Sequence, residues 1–360
     1  MKKFLKNLTV TVILAALAVG MIACGQKSLY DTLGESGYSV RVRYDAGGAF
    51  VNGTQNVTIV EAYSKDDVTS VGGKSGIMIL DPQSALRGED GAFKLSKSDE
   101  TNNYFSSGWY LSREVRKDEN GNILDAYGIP VSVSGREQGY VYKDKWSFTT
   151  DLIDPTKLEN GEMTLYASWI PFFTYEIYAE NENGEYELLS TAQRIDFTLP
   201  KWNKATGDIT MGDMPRVSDK TFAGAYFDAD MTEAVEGIID GDVAFVDIEK
   251  GIAKQTTVKI YTKWNSGRWK RLYSAQKLVD EILASGNEDV IFELGDDLDF
   301  SGVIIPESFA DAVFNGTVKG NGFVIRNLTD ANGDPIDNFN DIFGGIGEDA
   351  VIENIVVENP

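Results

Sequence analysis

Bulky apolar residues alternate with small or polar ones along most of this chain, the period-2 pattern of strands buried on one face. Two stretches set the pattern: Thr-Leu-Tyr-Ala-Ser-Trp at 164–169 and Lys-Ile-Tyr-Thr-Lys-Trp at 259–264. Each follows a second matching signal, Ser-Gly-Trp-Tyr at 107–110 and Ala-Gly-Ala-Tyr-Phe at 223–227. The same order of signals read twice predicts a duplicated module. Further strands are expected at 38–44 and 57–63, at Tyr-Val-Tyr 140–142, at Tyr-Glu-Ile-Tyr 175–178 and at Tyr-Glu-Leu-Leu 186–189. The Asn183-Gly184 pair between the last two is a hairpin signal, because both residues tolerate the positive φ that tight hairpin turns require. Asp-Ala-Gly-Gly at 45–48 reads as a turn.

The pattern changes after Trp264. Leu278, Val279, Ile282 and Leu283 recur at helical spacing, with Ser274 placed to cap the start and Gly286 to end the helix. A strand is expected at 290–294, followed by the acidic run Asp296, Asp297 and Asp299. Two lines then read alike, 314–328 and 342–357. Each has a glycine-rich turn, a short apolar strand and an asparagine, and Asn327 and Asn354 are expected to stack at equivalent turns.

These residues carry two resemblances. Tyr44, Asp45, Gly47 and Gly48, then Gly108, Trp109 and Tyr110, then Trp146 and Phe148, then 164–169 resemble the Listeria–Bacteroides repeat, the B-repeat of internalin-type surface proteins. The resemblance implies a small β-grasp-like module used in extracellular stalks and adhesins. The first copy departs from it by a long insertion between Tyr110 and Trp146. The second copy has Ala225 in place of Trp109 and lacks the Asp-Gly-Gly opening. The C-terminal lines are similar to the glycine-rich rungs of a right-handed parallel β-helix of the pectin-lyase type. The expected fold is therefore mainly β: two tandem β-grasp-like modules, 38–170 and 171–265, then a helix-capped β-helix start at 266–360. Rungs of this kind bury their apolar face only by stacking, normally three or more together. The chain stops directly after an apolar strand, so the expectation is that it is a fragment or that a partner covers its last rung.

The first 23 residues read as an address. Lys2, Lys3 and Lys6 precede an apolar run at 10–19, which is short for a membrane span and has the flanks of a secretory signal. Ala23-Cys24 resembles the lipobox of bacterial lipoproteins, which implies lipidation of Cys24 and a polar tether at 24–37. Two or more acyl chains anchor a protein stably where one does not.

Composition narrows the chemistry. Cys24 is the single cysteine and histidine is absent, which removes internal disulfides, histidine triads and histidine- or cysteine-ligated metal centres. A net charge of −23 disfavours nucleic acid. The acidic stretches 330–337 and 118–122 have part of a calcium-loop spacing but lack the closing glutamate, and acidic turns recur for backbone reasons alone. No cofactor, metal or catalytic residue is assigned, and the chain is read as a non-enzyme. Trp109, Trp146 and Trp169 are expected in the core, the alternative being a sugar-stacking face. The expected role is adhesion or interaction at the bacterial envelope, facing outside the cytoplasm, with the membrane engaged through the lipid and a host or cell-surface protein or glycan as partner. Carbohydrate binding or degradation at the surface is the alternative.

Overall fold

The computed structural model describes residues 40–55, 59–64, 66–87, 92–284, 289–303, 305–306, 311–329, 334–336, 343 and 345–358. The chain is mainly β and has few helices. It divides into two compact units. One takes in the described part of Met1–Thr174 with Gln193–Ile195 and Asp240–Thr257; the other comprises Tyr175–Ala192, Asp196–Ile239 and the described part of Val258–Pro360.

The first unit is organised by a five-stranded sheet. Its strands are β1 (Val40–Asp45), β2 (Ile59–Tyr63), β3 (Trp109–Val115), β4 (Tyr140–Lys145) and β5 (Glu162–Ala167). Their spatial order is β4-β3-β5-β1-β2, so the last strand lies beside the first, and the two run parallel with Tyr44 opposite Leu165. The alternation expected in β1 is present: Val40, Val42 and Tyr44 point inward. They pack with Leu165, Ala167, Trp109 and Trp146 in one cluster, and the rings of Tyr44 and Trp109 meet edge to face at 5.3 Å.

One charge pair lies inside this unit. Glu61 is 1 % exposed; its carboxylate accepts from Tyr44 Oη at 3.1 Å and Tyr63 Oη at 2.6 Å and receives both terminal nitrogens of Arg87. Burial first, and then the Glu61 charge, push both phenols above their ordinary range. Arg87 Nε donates in turn to Asp81 O at 2.7 Å. A buried charge is tolerated only when paired and hydrogen-bonded in this way.

Most of a four-stranded sheet lies in the second unit: β6 (Phe173–Glu180), β7 (Tyr186–Arg194), β8 (Lys220–Tyr226) and β9 (Thr257–Ser266), in the order β7-β6-β9-β8. The hairpin expected between β6 and β7 is formed. Asn181 Oδ1 accepts from the amides of Asn183 and Glu185, and Gly184 takes φ +80°. Set beside the first sheet, the order of four strands is the same, namely third strand, last strand, opening strand and its neighbour, while β4 has no counterpart. The pairing register is also the same. Tyr110 lies opposite Tyr166 and Trp109 opposite Ala167 in one sheet; Tyr226 lies opposite Tyr261 and Ala225 opposite Thr262 in the other.

The two tryptophans expected to be equivalent differ. β5 ends at Ala167, and Trp169 turns back over Gly47, where its indole N–H donates to Ala46 O at 2.7 Å. Trp264 stays inside β9, half-buried, opposite Phe222 with the rings 5.7 Å apart, and donates to Thr262 Oγ1. The cause is the opening turn. The second sheet has no Asp-Gly-Gly segment to offer a carbonyl and a bare glycine.

After β9 come β10 (Arg268–Leu272), helix α1 (Ala275–Leu283), β11 (Val290–Leu294), β12 (Leu298–Asp299), β13 (Thr317–Lys319), β14 (Val324–Arg326), β15 (Val351–Glu353) and β16 (Val356–Glu358). They form two all-parallel ladders, β10-β11-β13-β15 and β12-β14-β16. Ser274 caps α1 by accepting from Lys277 N, as its position implies. Leu278, Val279 and Ile282 are buried; Leu283 is 37 % exposed. A column of Phe292, Phe314 and Phe343 runs through the core that α1 shares with the ladders, with successive centroids at 6.0 and 5.7 Å. The acidic run is spent on this stack: Asp297 accepts from Val324 N and pairs with Arg326, and Asp299 accepts from Asn327 Nδ2 at 2.9 Å. Asn327 and Asn354 do not stack as expected. Asn327 follows β14 in one ladder, whereas Asn354 follows β15 in the other and lies over Gly320, where a Cβ would meet its carbonyl at 2.2 Å. Both take positive φ, at +57° and +53°, because each turns a corner.

Replacing Glu61 by alanine leaves Arg87 buried without its anion and should cost about 3–5 kcal/mol, whereas Glu61→Met with Arg87→Met should recover most of that loss. Urea unfolding followed by tryptophan fluorescence reads both. A cost below about 1 kcal/mol for Glu61→Ala would contradict the assignment.

Candidate functional site

The insertion between Tyr110 and Trp146 builds one wall of a cleft in the first unit. Asp118 closes its first turn, accepting from the amides of Asn120 and Asn122 and from Asn122 Nδ2. Asp125, fully buried, closes the second, its Oδ1 accepting from Tyr127 N and Ile129 N at 2.9 Å each. Apart from one helical turn at Val131–Ser134, these side-chain closures hold the segment between β3 and β4. The opposite wall is the Asp45–Gly48 turn and the strand Leu95–Ser98. The cleft measures about 720 Å³, within the roughly 300–1,000 Å³ common for small-molecule sites.

Four cations line it: Lys97, Arg113, Arg116 and Arg136. Arg113, on β3, is fully engaged. Its Nη2 lies 2.9 Å from Asp45 Oδ2, and its guanidinium carbon is 4.5 Å from the Tyr140 ring centre and 4.7 Å from that of Tyr166. Arg136 lies 4.5 Å over the Tyr127 ring and stands 3.6 Å from Asp125 Oδ2 and 4.0 Å from Asp99 Oδ2, beyond hydrogen-bonding reach of both. Lys97 Nζ donates to Gly47 O at 2.9 Å, and Arg116 Nη1 to Ala126 O at 3.0 Å. Among the described residues neither Lys97 nor Arg116 has a carboxylate within 4.0 Å. Burial lowers the pKa of both, against the pull of nearby acids.

Asp99 anchors the rim. Burial works against its charge, but Tyr104 Oη at 2.6 Å, the Thr101 hydroxyl and the amides of Thr101 and Asn102 outweigh it and hold the carboxyl down at about 2. Tyr104 is fixed by the same bond and lies 5.8 Å from Lys97 Nζ.

Beside the cleft, the segment Asp240–Thr257 packs on the sheet. Tyr110 Oη donates to Ile248 O at 2.6 Å, Tyr142 N donates to Lys250 O, and the buried hydroxyls of Ser107 and Ser168 lie 2.7 Å apart. The Ser107–Ser168 hydroxyl pair is buried, while a shallower depression of about 520 Å³ lies between Tyr142, Lys145, Ile248 and Lys250.

Of the residues singled out from sequence, Trp109 and Trp146 are core, 2 % and 8 % exposed, and so present no stacking face. Trp169 borders the cleft but is held by Ala46 O. Cys24 lies outside the described residues, as do most of 330–337. The cleft's cations were not foreseen. A signal for them exists: Arg113, Arg116 and Arg136 lie with Tyr127 and Tyr140 inside one insertion of a strongly acidic chain. No family model matches the chain, and no similar curated protein or solved structure was found.

Asp99→Asn should destabilise the unit by about 1 kcal/mol at neutral pH, the usual worth of such a closing carboxylate. Because the folded carboxyl is depressed, its contribution is complete above the ordinary aspartate range and is lost as pH falls from there toward about 2. Parallel urea titrations should show variant and parent converging over that window; a difference independent of pH would contradict it.

Proposed function

We propose that this chain is a bacterial surface lipoprotein acting as an adhesin or interaction stalk at the envelope. It is tethered through Cys24, carries two copies of a β-grasp-like module, and continues into the first rungs of a parallel β-helix capped by α1. The observation that carries this reading is the common strand order and common pairing register of the two sheets, with Tyr110–Tyr166 in one matched by Tyr226–Tyr261 in the other. Tandem copies of a rigid module make a spacer, and a spacer on a lipid anchor sets a binding surface away from the membrane. The β-helix reading is supported by the in-register succession of Phe292, Val318 and Ile352, beside a second ladder in which Leu298 faces Ile325 and Ile325 faces Val357. The absence of histidine, and of any cysteine beyond Cys24, fits a protein whose role is cohesion and contact.

The cleft in the first unit favours a second reading, recognition of carbohydrate by the same surface protein. It combines cations, carboxylates and tyrosine rings in a space larger than a lone ion needs.

The anchor is tested by labelling and fractionation. Cells fed radiolabelled palmitate should label the parent chain and retain it with membranes, and Cys24→Ser should abolish both; they should also attach less to sister cells and to glycoprotein-coated surfaces. Unchanged labelling and membrane retention would reject the lipoprotein reading, and unchanged attachment would reject adhesion.

A further inference from the structure

The cleft is lined by four cations, Lys97, Arg113, Arg116 and Arg136, and four carboxylates, Asp45, Asp99, Asp125 and Glu137, but they are unevenly paired. Asp45 is committed to Arg113, and Asp99 to its own turn and to Tyr104. Asp125 is committed through Oδ1 to two amides, while its buried Oδ2 has no hydrogen-bond partner. Lys97 and Arg116 are left hydrogen-bonded only to carbonyl oxygens, with no carboxylate within 4.0 Å among the described residues, and both are half-buried. A desolvated cation held by a neutral acceptor gains from an incoming anion.

The occupant is constrained further. The same lining carries Asp45, Asp99, Asp125 and Glu137, so a densely charged polyanion is repelled. Those acceptors suit hydroxyl donors. Tyr104 and Tyr140 add ring surface at the cleft, and the volume exceeds that of a simple carboxylate or sulfate several-fold. We propose that this cleft binds a short saccharide bearing one or two carboxylates, with Lys97 and Arg116 receiving the acid groups and the lining carboxylates receiving sugar hydroxyls. This deepens the carbohydrate reading of the same cleft and rests on the surface-protein reading for the compartment in which such sugars are met.

The test is calorimetric titration of the purified full chain with cellobiouronic acid, a disaccharide with one carboxylate, against neutral cellobiose and against acetate. Cellobiouronic acid should bind, with cellobiose and acetate at least tenfold weaker. Lys97→Met and Arg116→Met should each weaken binding about tenfold, whereas Lys74→Met on an exposed strand should not. Near-ultraviolet circular dichroism checks that the variants fold. Should Arg116→Met fail that check, the parent decides alone: the ring resonances of Tyr104 and Tyr140 should move on adding cellobiouronic acid and stay put with acetate. Equal binding of cellobiose would overturn acid recognition, equal binding of acetate would overturn the saccharide, and no binding with unmoved tyrosines would overturn the site. Membrane attachment through Cys24 is measured separately and is untouched by these outcomes.

Discussion

The two mixed sheets depend on where the last strand of each inserts. β5 and β9 enter between the opening strand and the third strand, so the two ends of each module become neighbours at its centre. That placement cannot be held by a covalent bond, because the chain has one cysteine. It is held by register. A shift of one residue would turn Leu165 and Ala167, both fully buried, out to solvent and bring their polar neighbours in. The rung of two tyrosines fixes the register from one side of the strand. In the first sheet the indole of Trp169, bonded to Ala46 O, fixes it from the end.

The same economy explains how the acidic residues are used. Glu61 is buried as the hub of two phenols and an arginine. Asp118, Asp125 and Asp99 close turns through backbone amides, and Asp297 and Asp299 tie successive strands of the parallel stack. The side chains that ring the cleft are held by these closures, so the cations there are positioned by acidic turns rather than by helices or sheet alone. This leaves Lys97 and Arg116 hydrogen-bonded to carbonyl oxygens, with acids nearby but none in direct contact among the described residues.

Much of the local structure was legible in the sequence. The alternation of Val40, Val42 and Tyr44 gave β1, Asn183-Gly184 gave the hairpin, and Ser274 gave the start of α1, because each of these signals acts within a few residues. What was not legible depends on distant partners. Trp169 and Trp264 end similar strings, yet one meets a glycine turn more than a hundred residues away and the other an aromatic on the adjacent strand. Asn327 and Asn354 read alike but end strands of different ladders. The cleft was hidden for the same reason. Lys97 and Arg116 are unremarkable until the sheet brings their segments together.

The shared register is the point most open to direct measurement. In antiparallel pairs, rungs alternate between hydrogen-bonded and non-hydrogen-bonded, and the latter bring facing Cα protons close enough for a strong nuclear Overhauser effect. A protein labelled for backbone assignment should show one such contact from either the Tyr110–Tyr166 or the Trp109–Ala167 rung, and its counterpart from the Tyr226–Tyr261 or the Ala225–Thr262 rung. Contacts offset by one residue in either sheet, or third and last strands that are not neighbours, would contradict the proposed duplication and the stalk proposed from it.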